Sequence, residues 1–511
     1  MHPHPSTAIG RRQPIDQPEP PLRSTQRSTE STCRPYHPTT ITLPDTYRFA
    51  NSRAPGYGPV PCSAHSRLRR RTTSRRADPC FDRKAPGECP GLCRVVVRPR
   101  PSEETLMYDH RKLGRELGLF DTDPLIGSGL PYWLPDGAIV RHSLEEYIRT
   151  VERRAGYRHV YSPVLGKREL YEISGHWSHY SDDMYPPMDL GGEQVVLRPS
   201  LCPHHAVIYR SRSHSYRELP LRLAELGGMY RSELSGVLGG LTRVRCIQLN
   251  DAHIFCTLDQ VADEAAAALE LIATAYRAMG ISATRYRLSL PGPGGKYVAA
   301  PEKWQRATKL LIEALDCSGL PYESAEGEAA FYGPKIDVQV TDHAGRESTL
   351  STVQIDFHQP EQFDLHYIGA DGDKHRPVMV HRSIIGSVER AMAQLIEQHG
   401  GAFPAWLAPI QVIVLPVSEA EDGVAAELAE HCRTAGLRAE VSAAAGGSLG
   451  ARIRENRLVP YQFVVGPAEA AHGDVSVRLR DGRRLPAQPA AQIVRRVGEL
   501  VESHAGRLWA D

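Results

Sequence analysis

Hydrophobic and polar positions fall into recognisable patterns only from about residue 107 onward. Ser143 to Arg154 has helical spacing and leads into a short extended segment, His159 to Val164, that contains Pro163. Ala262 to Met279 is alanine-rich, with Leu269, Ile272 and Tyr276 on one face and Gly280 as a C-terminal stop. Ile336 to Val340 and Thr352 to Phe357 alternate or carry β-branched residues, so both are predicted strands. The style changes near Phe403-Pro404. Ile410 to Leu415 and Tyr461 to Val465 read as buried strands separated by a helical stretch, Val424 to Ala435, which predicts a small α/β domain at the C-terminus. No internal repeat is evident.

Residues 1–106 show neither a period of 2 nor one of 3.6. They are rich in Pro, Ser, Thr and Arg, with the run Arg69-Arg70-Arg71 and then Arg75-Arg76. Such a stretch buries too little apolar surface to offset its chain entropy, and disorder is the expectation. A basic arm gripping nucleic-acid phosphates is the alternative. Cys80, Cys89 and Cys93 lack the paired spacing of a zinc knuckle. A start codon assigned too early is a further reading, since Met107 immediately precedes Tyr-Asp-His-Arg-Lys-Leu-Gly.

Composition narrows the class. At 511 residues the chain has room for two or three domains, and 61 basic against 60 acidic residues leave no global charge for nucleic acid. No apolar run approaches the length of a membrane span, and the ten cysteines are scattered rather than framed for disulfides. A cytoplasmic enzyme is expected.

The candidate chemistry lies in separated segments. Cys202-Pro-His-His205, Arg231-Ser-Glu233, Asn-Asp251-Ala-His253, Phe-Tyr332-Gly-Pro-Lys335 and Val-Met-Val-His381-Arg-Ser-Ile-Ile-Gly-Ser-Val-Glu-Arg390 supply a thiolate, imidazoles, arginines and carboxylates. That mixture suits a pocket holding a metal, a polyphosphate and a small polar substrate together. There is no P-loop and no Rossmann glycine signature, so a bound nucleotide must be held by arginines.

In this order the segments closely resemble the catalytic domain of a threonyl-tRNA synthetase, over about residues 107–511. The resemblance implies an α+β fold: a class II antiparallel sheet flanked by helices over 107–404, then an α/β anticodon-binding domain over 405–511. It implies one Zn²⁺ per subunit on Cys202, His253 and His381, with open positions for the amino group and hydroxyl of threonine. Asp251 would receive the hydroxyl, Tyr332 would orient the amino group, and Gln354 would line the same pocket. Arg231 and Glu233 resemble class II motif 2 and Arg390 the arginine of motif 3, on ATP with Mg²⁺; Arg243 is placed to reach the triphosphate. Gly386 and Ser387, at a helix start, would allow close backbone approach to the substrate. The implied activity is threonine–tRNA ligase, with tRNA(Thr), threonine and ATP as partners. Motif 1, around Gly137 to Pro163, implies a homodimer. Two other roles are open: a duplicate synthetase tolerant of an inhibitor, and an amino-acid-binding paralogue that charges no tRNA.

Three places depart from the family pattern. Ile247 stands where a Phe or Met often faces adenine, and Ser200-Leu201 replace Met-Asn before Cys202. Ala443-Ala-Ala-Gly-Gly447 replaces arginine and acidic side chains that read the anticodon, leaving Arg452, Arg454 and Arg457 for phosphates. Upstream, nothing resembles the hydrolytic editing domain common in bacterial relatives.

Overall fold

The structure, a computed structural model, describes residues 108–294, 296–342 and 345–509. The expectations for residues 1–106 and for Met107 lie outside the described residues.

Eight strands form the larger sheet: β1 (Arg158–His159), β2 (Leu221–Tyr230), β3 (Cys246–Cys256), β4 (Arg285–Leu290), β5 (Tyr322–Glu326), β6 (Lys335–Thr341), β7 (Glu347–Asp356) and β8 (Val378–Ser383). Their spatial order is β5-β4-β6-β7-β8-β3-β2-β1. Every central pair is antiparallel; only the two edge pairs, β5 with β4 and β1 with β2, run parallel. Both strands expected from alternation, within β6 and β7, are present. One face is apolar, carrying Ala252, Ile254, Ile336, Val338, Val353, Ile355 and Val380. It packs on α2 (Pro135–Arg154), α4 (Val261–Met279) and α5 (Pro301–Ser318), introduced with α1 (His110–Glu116) and α3 (Cys202–Arg210). Alternate residues of a strand point to opposite sides, and the opposite face carries polar side chains at its centre with a smaller apolar cluster of Leu221, Leu223, Phe255 and Met379.

Two boundaries differ from expectation. Helix α2 begins eight residues before Ser143, at Pro135, where the fixed φ of proline suits the first helical position and its missing N–H is not needed. Its buried stripe of Val140, Leu144, Tyr147 and Ile148 is continuous across the expected start. The extended segment at 159–164 pairs in the sheet only at Arg158–His159. Beyond it, Ser162 bonds the side-chain carboxylate of Glu225 on β2 rather than that strand's backbone, and Pro163 has no N–H to offer. The stop at Gly280 is as expected, left-handed at φ 67° with its N–H returned to the last turn of α4.

After α6 (Val388–His399) the chain builds a second, mixed sheet of β9 (Val412–Pro416), β10 (Ala439–Val441), β11 (Tyr461–Val465), β12 (Asp474–Leu479) and β13 (Arg484–Pro489), in the order β10-β9-β11-β12-β13. Helices α7 (Asp422–Thr434), α8 (Leu449–Glu455) and α9 (Ala490–Glu502) accompany it. Val412, Val414, Phe463, Val477, Ala429 and Val497 close a core separate from the first. This is the α/β unit the sequence predicts.

Candidate functional site

Strand register brings the chemistry together. His253 on β3 lies directly across from His381 on β8, and His381 lies across from Gln354 on β7. The row continues to Lys335 on β6 and Ser289 on β4. Asp251, two residues before His253, shares its face, as Asp337 does with Lys335. Asp251, His381, Gln354, Lys335 and Asp337 border a cleft of roughly 480 Å³ whose walls also include Cys202, Arg231, Glu233, Arg243, Tyr332, Ser387 and Arg390. The structure therefore gathers every predicted site residue around one cleft, with His253 fully buried just beneath its wall.

The ligand atoms of Cys202, His253 and His381 all lie within 4.8 Å of one another. Proton accounting shows what the group can hold. His381 Nε2 faces the Asp356 carboxylate at 2.9 Å and His205 Nε2 faces Glu225 at 3.2 Å. Carboxylates accept only, so those nitrogens carry the protons, and His381 Nδ1 and His205 Nδ1 are bare. His253 Nδ1 must then donate to His205 Nδ1, 2.7 Å away. That leaves the lone pairs of His253 Nε2 and His381 Nδ1 facing each other across 3.0 Å. Burial holds His253 well below the ordinary imidazole range, so its own ring brings no second proton to the gap. Two imidazoles on a tetrahedral cation would sit roughly 3.3 Å apart. The donor set fits a divalent metal. Without one, burial pushes the Cys202 thiol up to about 12, so a cation is what would make it a thiolate.

The partners one shell out escaped sequence reasoning. His205 stood beside Cys202 with no role assigned, and Asp356 follows Gln354 by two on the same strand face. Burial pushes the Glu225 carboxyl up, but hydrogen bonds from His205 and Ser162 and the Arg198 guanidinium outweigh it and hold it near 2. His176, also missed, bridges Ser174 and Ser200 at 2.9 Å each and stands 3.6 Å from the Cys202 sulfur. Ser200, one of the departures noted above, is thus engaged by His176 rather than loose in the pocket.

Asp251 Oδ2 stands 3.7 Å from His253 Nε2, beside the metal position. Burial raises its pKa, offset in part by His381. The Tyr332 hydroxyl donates to Gln354 Oε1 at 2.6 Å while its ring stacks on His381 with centroids 4.8 Å apart. Beyond them Asp337, fully buried, is held by Ser289 at 2.7 Å, Lys335 at 2.8 Å and Arg287 at 3.0 Å.

The other end of the cleft is cationic. Glu233 pairs with Arg243 at 2.7 Å. Arg390, though its surface is exposed, donates Nε to the Thr242 carbonyl at 3.0 Å, and desolvation by the packed groups around it, with the charges of Arg231 and Arg243, pulls its pKa below the usual arginine value. Crowding three guanidiniums stores repulsion that an anion relieves. Val244, Ile247, Leu249 and Met229 add an apolar wall.

Ser387 stands at the start of α6, as expected, and lines the cleft, where its hydroxyl caps the helix by accepting the Arg390 N–H at 3.0 Å. Gly386 is required by the sheet: it has φ 61°, and a Cβ there would lie 2.5 Å from the Leu350 carbonyl. Arg452 does not face phosphates. It is buried, and donates to the carbonyls of Pro416, Ser442 and Gly447 at 2.7, 2.7 and 3.0 Å. Arg454 and Arg457 are exposed as expected.

Comparison with known proteins agrees with this geometry. A family model for the tRNA synthetase class II core domain (G, H, P, S and T) matches residues 185–399, and one for an anticodon binding domain matches 411–500. Threonine–tRNA ligase of Geobacillus sp. (strain WCH70) is 52% identical over 384 residues, 74% of this chain and 60% of that protein. Threonine–tRNA ligase 1 of Bacillus subtilis (strain 168) is also 52% identical over 384 residues, with the same coverage. The chain thus spans about three fifths of the length of these curated relatives. The crystal structure of the RNA binding domain of threonyl-tRNA synthetase from Cryptosporidium parvum superposes with a TM-score of 0.72 at 35% identity, covering 78% of this chain and 99% of that one. Prolyl-tRNA synthetase from Giardia lamblia, at 17% identity and a TM-score of 0.62, shares the fold. On these matches and on the cleft they enclose, the chain belongs to the threonyl-tRNA synthetase family of class II aminoacyl-tRNA synthetases.

Proposed function

We propose that the protein is a threonine–tRNA ligase, with a catalytic domain over 107–404 and an anticodon-binding domain over 405–511. The observation that carries this reading is the pair of bare imidazole nitrogens converging beside Cys202 and Asp251, in one cleft with three arginines. Arg231, Arg243 and Arg390 neutralise the triphosphate of ATP with Mg²⁺ and stabilise charge as the carboxylate of threonine attacks the α-phosphate. Cys202, His253 and His381 would hold one Zn²⁺ per subunit, which would supply a Lewis acid toward the amino group and hydroxyl of the amino acid. Asp251 accepts from that hydroxyl; Tyr332 and Gln354 wall the amino-group side. The 3′ adenosine of tRNA(Thr) then takes the acyl group. A cytoplasmic location goes with charging tRNA for translation. Among the described residues no helix is long and apolar enough to cross a membrane.

A homodimer through motif 1 is supported by exposed apolar residues just beyond β1: Tyr161 at 83%, with Val164 and Leu165. Exchange of pyrophosphate with ATP, measured beside tRNA charging, tests the function. Threonine-dependent exchange with charging is expected; exchange without charging favours the paralogue that does not act on tRNA. A duplicate tolerant of an inhibitor would keep both activities in its presence. Valine, lacking the hydroxyl, should be activated far less than threonine, whereas serine, lacking one methyl, should fall only about 10- to 200-fold behind. Comparable rates for valine would mean that no metal reads the hydroxyl.

A further inference from the structure

The segment Tyr-Asp-His110-Arg-Lys-Leu-Gly at the start of the described chain takes no part in the site above, yet it reaches the loop between β2 and β3 that carries Arg243. His110 is buried. Its Nδ1 lies 2.7 Å from Glu397 Oε1 on α6, and its Nε2 accepts the backbone N–H of Leu241 at 3.1 Å. A carboxylate can only accept and an amide N–H can only donate, so the ring must carry its proton on Nδ1 and stay bare at Nε2. The loop is pressed against α1 at the preceding residue as well. Gly240 has φ 61°, and a Cβ there would lie 2.5 Å from His110 Nε2 and 2.6 Å from Arg111 Cγ. From the other side Arg390, also on α6, holds the Thr242 carbonyl.

Helix α6 therefore grips the loop twice, directly through Arg390 and indirectly through Glu397 and His110. The N–H of Leu241 and the carbonyl of Thr242, on either side of the peptide between them, are pinned, and Arg243 follows immediately. We propose that His110 is a positioning residue for ATP: it fixes the backbone from which Arg243 reaches the triphosphate. This rests on the reading that the three arginines bind ATP. The Asp109, His110 and Glu397 grouping resembles a metal cluster by proximity. Both ring nitrogens of His110 are already engaged by Glu397 and Leu241, and Asp109 accepts from Arg111, which favours a brace.

The test uses the full-length protein and two substitutions of similar bulk. His110→Asn can keep a donor for Glu397 but cannot reach Leu241; His110→Gln can place its amide oxygen against the Leu241 N–H. Calorimetry with a non-hydrolysable ATP analogue should show binding weakened about tenfold in His110→Asn and largely recovered in His110→Gln. In exchange assays the KM for ATP should rise while the KM for threonine stays within about twofold. Analogue binding by His110→Asn equal to wild type would overturn the proposal. So would equal losses for ATP and threonine together with a lowered melting temperature, which would mark general loosening. Wild-type protein that binds the analogue but shows no threonine-dependent exchange would sink the ligase reading and leave this test readable.

Discussion

With Nε2 of His253 and Nδ1 of His381 both bare and 3.0 Å apart, metal content should track the groups that fix their protons as well as the ligands themselves. Metal analysis of purified Cys202→Ala should show loss of zinc. In Asp356→Ala, His381 loses the acceptor that holds its proton on Nε2, and metal affinity should fall about 10- to 100-fold. Unchanged zinc in both would remove the site. Glu225, which holds His205 behind His253, makes a separate prediction. Its carboxyl is held near 2 instead of the 4.5 of an unperturbed glutamate. A depressed carboxyl contributes stability that is fully present above its unfolded pKa and lost as pH falls toward the folded one. Denaturation midpoints should therefore drop between pH 4.5 and 2, and Glu225→Gln should flatten that limb. A slope unchanged by the substitution would assign the acid loss to other groups. The candidate ligands Cys202, His253 and His381 were legible because they sit in recognisable segments. Glu225, Asp356 and His176 were not, because nothing in sequence spacing says which strand will lie beside which.

At the scale of elements, the Ala443–Gly447 stretch and helix α8 act as one piece. The Arg452 guanidinium gathers carbonyls from β9, from the residue after β10 and from the loop itself. Sequence reasoning assigned Arg452 to phosphates along with Arg454 and Arg457, because three arginines at short spacing look alike until a helix is docked and one of them turns inward. The three should part experimentally. Arg452→Ala leaves buried carbonyls without a donor and should lower stability by about 3 kcal/mol in thermal denaturation. Arg454→Ala with Arg457→Ala should leave the melting temperature unchanged, raise the KM for tRNA, and reduce its salt dependence. An Arg452→Ala protein as stable as wild type would return that residue to the nucleic-acid surface. Helix and strand identities were mostly readable at this scale, since amphipathic period and glycine stops are local. The early start of α2 was missed because a proline at the first helical position looks like a breaker unless its position is known.

Across the whole molecule, the two sheets are joined by the segment around Trp406. Its indole donates to the Ala278 carbonyl at the end of α4 and packs between Tyr147 of α2 and His504 beyond α9, with ring centroids 4.8 and 4.9 Å away. The α+β class and the change of style near Phe403-Pro404 could be read from pattern; this aromatic junction could not, since its rings come from three distant segments. The same holds for the row that runs Leu223, His253, His381, Gln354, Lys335, Ser289 across five strand pairings.

That row limits how the gene can change in length. Turns between strands can gain residues without moving the row, but a strand cannot, because one added residue rotates everything on one side of it to the opposite face. An alanine inserted between Ala252 and His253 would send either Asp251 or His253 into the apolar side, whichever half of β3 keeps its pairing. Such an insertion should abolish zinc binding even where the protein still folds, while one at Gly482, in the turn between β12 and β13, should be silent in both metal content and exchange. Deep insertion scanning of the chain should accordingly show a tolerance map with the period of the sheet connections, in which the catalytic strands stand out as segments of fixed length.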